Sequence, residues 1–135
     1  MPVKQLRLVV HAEDYEGALR FFRDVLGMPE QEAYAGDGPP DNRPEVTILD
    51  AGRATLEIAN SAQADMIDDV EVGRRVAGHF RVALEVDDCA TASEQAVAGG
   101  AVPVAPPTRT PWDSLNARFD APGEVHLTLF QELGG

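Results

Sequence analysis

Two segments of this chain, LRLVVHAED (Leu6 to Asp14) and FRVALEVDD (Phe80 to Asp88), are written on one pattern. Each alternates apolar residues, carries an arginine in second place, and ends in an aspartate where helical spacing begins. Arg7 and Arg81 stand at a constant offset of 74 residues. A chain that writes a strand, a cap and a helix twice is expected to fold as two copies of one unit, and such a repeat constrains architecture more tightly than local propensity does.

In the first copy Leu6, Leu8 and Val10 alternate with Gln5, Arg7, Val9 and His11, the period of a strand with one buried face. Asp14 is then placed as an N-cap. Through YEGALRFFRDVLG the residues Ala18, Leu19, Phe22, Val25 and Leu26 fall on one helical stripe, and Gly27 supplies the stop. In the second copy Phe80, Val82, Leu84 and Val86 alternate with Arg81, Ala83, Glu85 and Asp87. Asp88 caps, and CATASEQAVAGG gives a shorter helix. Cys89 opens that helix, where a lowered thiol pKa is conceivable, but a small residue at a helix start accounts for it as well.

Both copies end in a hairpin. VTILDAGRATLEIA turns at Asp50-Ala51-Gly52, and ARFDAPGEVHLTLF turns at Asp120-Ala121-Pro122-Gly123. EQEAY and AVPVA are expected as further strands. AGDGPPDNRP and PPTRTPWDS read as loops from their proline, glycine and aspartate content. NSAQADMIDDVEVGRRVAG, acidic and then basic, is expected as a helical turn and linker over the surface.

The balance of 11 basic against 23 acidic residues, a formal charge of -12, opposes binding to phosphate backbones and anionic membranes. With one cysteine no intrachain disulfide can form, and MPVKQLRLVV has neither the basic nor the long apolar region of a signal peptide. A cytoplasmic location is therefore expected, with no nucleic-acid or membrane partner.

The order of these elements, with strand, aspartate, helix and Leu-Gly at the start and a glycine turn into a final LTLFQ strand, resembles the vicinal oxygen chelate superfamily of glyoxalases, bleomycin-resistance proteins and extradiol dioxygenases. The resemblance runs from Leu6 to Gln131. It implies an α+β fold of two βαβββ modules, about 3–60 and 78–131, joined by a linker into a single domain spanning 1–135. The modules would form a curled, cup-shaped mixed sheet with helices outside, often in a homodimer. Metal-dependent members use a donor on the first strand and a glutamate on the last strand of each module. The corresponding positions here are Arg7, Glu57, Arg81 and Thr128, and only Glu57 is a donor of the expected kind. Arginine offers no lone pair to a cation, so no metal and no cofactor is expected.

Strand alternation defines the same surface independently. If Leu6, Leu8, Val10, Leu56, Ile58, Val82, Leu84, Leu127 and Leu129 pack under the helices, the other face carries Gln5, Arg7, His11, Thr55, Glu57, Arg81, Glu85, His126 and Thr128. Such a face is either solvated or lines a concavity that binds a ligand. Arg7 and Arg81 against Glu57 leave about one positive charge over, unless Glu85 joins. Two readings stand: a structural arginine-glutamate cluster, or a site for a carboxylate or phosphate. His126 is a candidate general base with Glu57 or Glu85 as its orienting partner, and equally an ordinary polar residue at a rim. Trp112, after Pro111, would lie over a ligand at the cup mouth or fill an interface.

The expected function is a metal-independent small-molecule binding protein whose cup holds an organic ligand, anionic on this charge count, through Arg7, Glu57, Arg81, Trp112, His126 and Thr128. The alternatives are a lyase, isomerase or dioxygenase-like enzyme using His126 and Glu57, and a structural or partner-binding dimer with an arginine-glutamate cluster in the cup. A small organic ligand and a second copy of the chain are the expected partners.

Overall fold

Alternating apolar positions and capped helical stretches become, in the computed structural model of the chain, six strands and three helices among the described residues, 7, 8, 10, 12–54, 57, 60–76 and 78–134. Asp14 caps α1 (Tyr15–Leu19) by accepting from the Gly17 amide at 3.0 Å. The helix runs on as a π-helical stretch, Arg20–Val25, in which the Leu26 amide donates to the Phe21 carbonyl at 2.9 Å. That widened turn rotates the stripe expected from a regular helix. Phe21, at 1% exposure, enters the core, while Phe22, Val25 and Leu26 pack at its edge.

Of the two expected hairpins, the one turning at residues 120–123 forms within a four-stranded sheet, while the strand expected as the first arm of the other pairs with the preceding strand. Strands β1 (Glu30–Ala35) and β2 (Glu45–Leu49) pair antiparallel as a two-stranded sheet. The Asp50 side chain accepts from the Gly52 amide in the turn after β2. Most of the second arm expected there, including Thr55, Leu56 and Ile58, lies outside the described residues. So do Gln5, Leu6, Val9 and His11. Leu8 and Val10, expected in the core, are 59% and 40% exposed.

The second sheet carries four strands in the order β3-β6-β5-β4: β3 (Val82–Glu85), β4 (Val102–Arg109), β5 (Ser114–Ala121) and β6 (Val125–Glu132). Strand β3 runs parallel to β6, and the other pairs are antiparallel. Pro103, Pro106 and Pro107 are tolerated because β4 is an edge, where a missing amide donor breaks no inner ladder. Phe80 precedes β3 and is exposed, so the second copy of the strand begins two residues later than its alternation suggests.

Helix α3 (Cys89–Ala98) is capped by Asp88, whose side chain accepts from the Thr91 amide and hydroxyl; those bonds hold the carboxyl below its ordinary range. It covers the apolar face of the sheet, where Ala117, Phe119, Leu127 and Leu129 are at most 1% exposed. Each leucine or phenylalanine buried there contributes roughly 1.5–3 kcal/mol. A Cβ on Gly99 would come within 2.7 Å of Val25, so only glycine lets the end of α3 approach the π-helical stretch.

The linker differs from its expected course. Asn60 caps an 11-residue helix, α2 (Ser61–Glu71), which lies over β4 and β5 on the face opposite to the Phe119 and Leu129 core. It does not run over open surface, because Asp68 and Glu71, one turn apart, find cationic and amide partners on the sheet.

Candidate functional site

Along β5, Ser114, Asn116 and Arg118 alternate with Leu115, Ala117 and Phe119, so the strand that buries an aromatic core on one face presents a polar row on the other. Arg118, fully buried, is the centre of that row. Its Nη2 donates to Asp68 Oδ1 at 2.7 Å, its Nε to Glu71 Oε1 at 2.8 Å, and its Nη1 to His126 Nε2 at 2.8 Å. Asp68 and Glu71 are themselves 1% and 3% exposed. The second oxygen of Glu71 accepts from Asn116 Nδ2 at 2.9 Å, and the second oxygen of Asp68 from the Val76 amide at 2.9 Å. Ser114 donates to Asn116 Oδ1 at 2.7 Å and bonds Thr110, which extends the network to the end of β5.

A guanidinium only donates, so His126 Nε2 must accept and the ring proton sits on Nδ1, 3.5 Å from Asp120 Oδ1. Burial and the neighbouring Arg118 push the imidazole pKa below its ordinary range, with Asp120 opposing and Arg81 adding to the shift. The imidazole is thus held neutral, with its basic nitrogen already engaged.

Arg81 reaches the same face beside β6. Its Nη1 donates to the Thr128 hydroxyl at 2.8 Å, and burial followed by Arg118 lowers its pKa, against the pull of Glu71, Glu57 and Asp68. Of the expected site residues the structure therefore brings Arg81, Thr128 and His126 together around Arg118. Glu57 is exposed, though its charge is felt at Arg81. Arg7 is exposed, and its charge is felt at Tyr34 of β1. Trp112, half-exposed, sits in the β4–β5 turn, about 20 Å along β5 from the Asp120 end where His126 lies.

The expected charge count changes with these partners. Arg118 pairs with both Asp68 and Glu71, Arg75 Nε lies 3.8 Å from Asp68 Oδ2, and the two carboxylates are also felt at Arg81, so the cations of this face are matched by acids that the count of Arg7, Arg81 and Glu57 did not include. Every fully buried side-chain nitrogen and oxygen among the described residues has a partner. Sequence reasoning missed four members, Asp68, Glu71, Asn116 and Arg118. The signals were a polar residue at every second place of SLNARFD and two acids at helical spacing in IDDVE.

The donor set does not fit a divalent metal. Arg81 and Thr128, at two of the positions where the resemblance implies ligands, bond each other, and among the described residues no group of three or more His, Cys, Asp or Glu could hold an ion. On the opposite face Cys89 is buried, donates to the Leu129 carbonyl, and has its thiol pKa pushed up by burial, which makes it a packing residue. Two open depressions of about 470 Å³ each flank α3, one beside Val25 and Asp88 and the other beside Val97 and Phe119. Neither gathers polar groups of both charges as the Arg118 face does.

The described elements make an α+β chain with a two-stranded and a four-stranded sheet, the larger one apolar on one face and polar on the other. The profile of the Glyoxalase/Bleomycin resistance protein/Dioxygenase superfamily matches residues 4–129, and the chain belongs to that superfamily. No curated protein matches the sequence at a significant level. Solved structures share the fold. Hypothetical protein SA1046 from S. aureus is 14% identical with a TM-score of 0.63, the match covering 97% of this chain and 95% of that one. A glyoxalase-related enzyme from Fulvimarina pelagi is 16% identical with a TM-score of 0.56, covering 96% and 89%. A glyoxalase family protein from Bacillus cereus is also 16% identical at 0.56, covering 98% and 100%. Among the described residues no helix is long and apolar enough to cross a membrane.

Proposed function

We propose that the protein binds a small organic molecule bearing an oxyanion, without a metal, on the polar face of the four-stranded sheet. The observation that carries this reading is the pair of arginines, Arg81 and Arg118, set beside Thr128, Asn116 and His126 on one face. Guanidinium donors fixed by a strand recognise a carboxylate or phosphate in a defined orientation. Superfamily membership is consistent with a ligand on this face, although the fold hosts several chemistries and does not choose among them.

We further propose that the two halves form one domain and that the chain works as a homodimer. Every residue of β1 is exposed, as are the first two of β2, and a two-stranded sheet is marginal in water unless something packs on it. Tyr34 and Val46, 58% and 47% exposed, are the apolar groups a second copy would cover.

A structural reading is favoured by one observation: Arg118, Asp68 and Glu71 bond one another and, through Asn116, His126 and the Val76 amide, leave no fully buried side-chain nitrogen or oxygen among the described residues without a partner. An enzyme built on His126 and Glu57 has less support, because Arg118 occupies the imidazole's basic nitrogen. Thermal shift with a panel of carboxylates and phosphates, alongside metal analysis of the purified protein, separates these. Ligand binding predicts stabilisation by one class of anion that Arg81→Ala abolishes, in metal-free protein. Absence of any stabilisation would leave the structural reading, and stoichiometric metal would overturn the metal-independent one.

A further inference from the structure

The polar face that a ligand would use is covered by α2, so binding there requires the helix to move or the ligand to go elsewhere. The way α2 is held bears on this. No residue of α2 belongs to the buried apolar cluster, Ala64, Ile67 and Val70 are only half-buried, and Met66 is 40% exposed. Its two fully buried side chains are Asp68 and Glu71. Charge-assisted bonds of this kind exchange for hydration at small net cost when both partners return to water, whereas an apolar interface does not.

The geometry on Arg118 is specific. Nε and Nη2 form one edge of the guanidinium, the fork that a single carboxylate or phosphate takes with two parallel bonds. Here the fork is divided, with Glu71 on Nε and Asp68 on Nη2. Removing α2 would uncover that fork and leave Arg118, whose charge is felt at Arg81, without Asp68 and Glu71.

We propose that α2 is a displaceable cover whose Asp68 and Glu71 stand in for the oxyanion of the ligand, and that a carboxylate- or phosphate-bearing molecule binds the Arg118 fork by exchanging with them and opening the helix. This rests on the oxyanion-binding reading above. The cover makes apparent affinity lower than the affinity of the open face by the fraction of molecules that are open.

Hydrogen exchange of the full-length protein tests the exchange directly, with inorganic phosphate and with citrate, against chloride at matched ionic strength. Calorimetry follows binding of both anions to the wild type and to Asp68→Asn/Glu71→Gln. The expected result is a saturable loss of protection confined to Ser61–Glu71 with phosphate or citrate and not with chloride, and at least about tenfold tighter anion binding by the double variant. Response to phosphate alone or citrate alone identifies which group the ligand carries. Anion binding with α2 protection unchanged overturns the displaceable cover and leaves the binding reading standing. Failure of both proteins to bind either anion overturns both. Should the double variant fail to fold by circular dichroism, the wild-type exchange measurement decides the matter.

Discussion

Helices α2 and α3 cover opposite faces of the same four strands, and the chemistry of the two covers is opposite as well. Under α3 lie Phe119, Leu127, Leu129 and Ala117, held by loss of apolar surface from water. Under α2 lie Arg118, Asn116 and Ser114, held by ion pairs and hydrogen bonds. The apolar cover is non-directional and tolerates small shifts. The polar cover is directional, so it either fits or releases, and its strength depends on pH and on competing ions. One sheet can thus be a scaffold on one side and a recognition surface on the other.

Substitutions that break each cover should separate the two. Arg118→Ala strands Asp68 and Glu71 as buried charges and is expected to cost about 3–5 kcal/mol in urea unfolding. Leu129→Ala on the other face is expected to cost about 2–5 kcal/mol through a cavity. The contrast lies in recovery. Replacing Arg118, Asp68 and Glu71 together by apolar residues of similar size should restore most of the stability, while no second substitution near Leu129 does so without refilling the volume. If the triple replacement is no more stable than Arg118→Ala, the polar cover is not an ionic one.

The pH dependence sharpens the comparison with a smaller effect. The folded His126 imidazole binds a proton less readily than an unfolded one, so unfolding takes up protons in acid. Its contribution is complete above the unfolded pKa of about 6.5 and is lost as pH falls through the lower folded value. His126→Gln, which keeps an acceptor for Arg118, should flatten the stability slope between about pH 7 and pH 5. A slope identical to wild type would show that protons act elsewhere. Smaller still are the caps: Asn60→Ala and Asp88→Ala each remove a bond to a helix amide and should cost about 1 kcal/mol. Hydrogen exchange should place the first loss in α2 alone.

Much of this architecture is legible in the sequence. The second copy of the strand, the caps Asp14 and Asp88, and the turns at Gly52 and Gly123 are local signals with counterparts among the described residues, whereas much of the first copy, including Leu6, Val9 and His11, lies outside them. The π-helical turn was not legible: one extra residue rotates the stripe without changing composition, so that Phe21 is buried more deeply than Phe22. The site was only half legible. Thr128 and His126 follow from alternation on β6, and Arg81 from the pattern leading into β3, but their central partner Arg118 acquires meaning only through Asp68 and Glu71, brought over β5 from a helix some fifty residues earlier. Alternation says which face a side chain takes. It does not say what will cover that face.

Native-state hydrogen exchange of the unliganded protein, comparing α2 with α3, tests the central contrast most directly. A polar, releasable cover predicts that the amides of Ser61–Glu71 exchange through a local opening of lower free energy than the amides of Cys89–Ala98, which open only with global unfolding. Exchange of the two helices at one common free energy would contradict it.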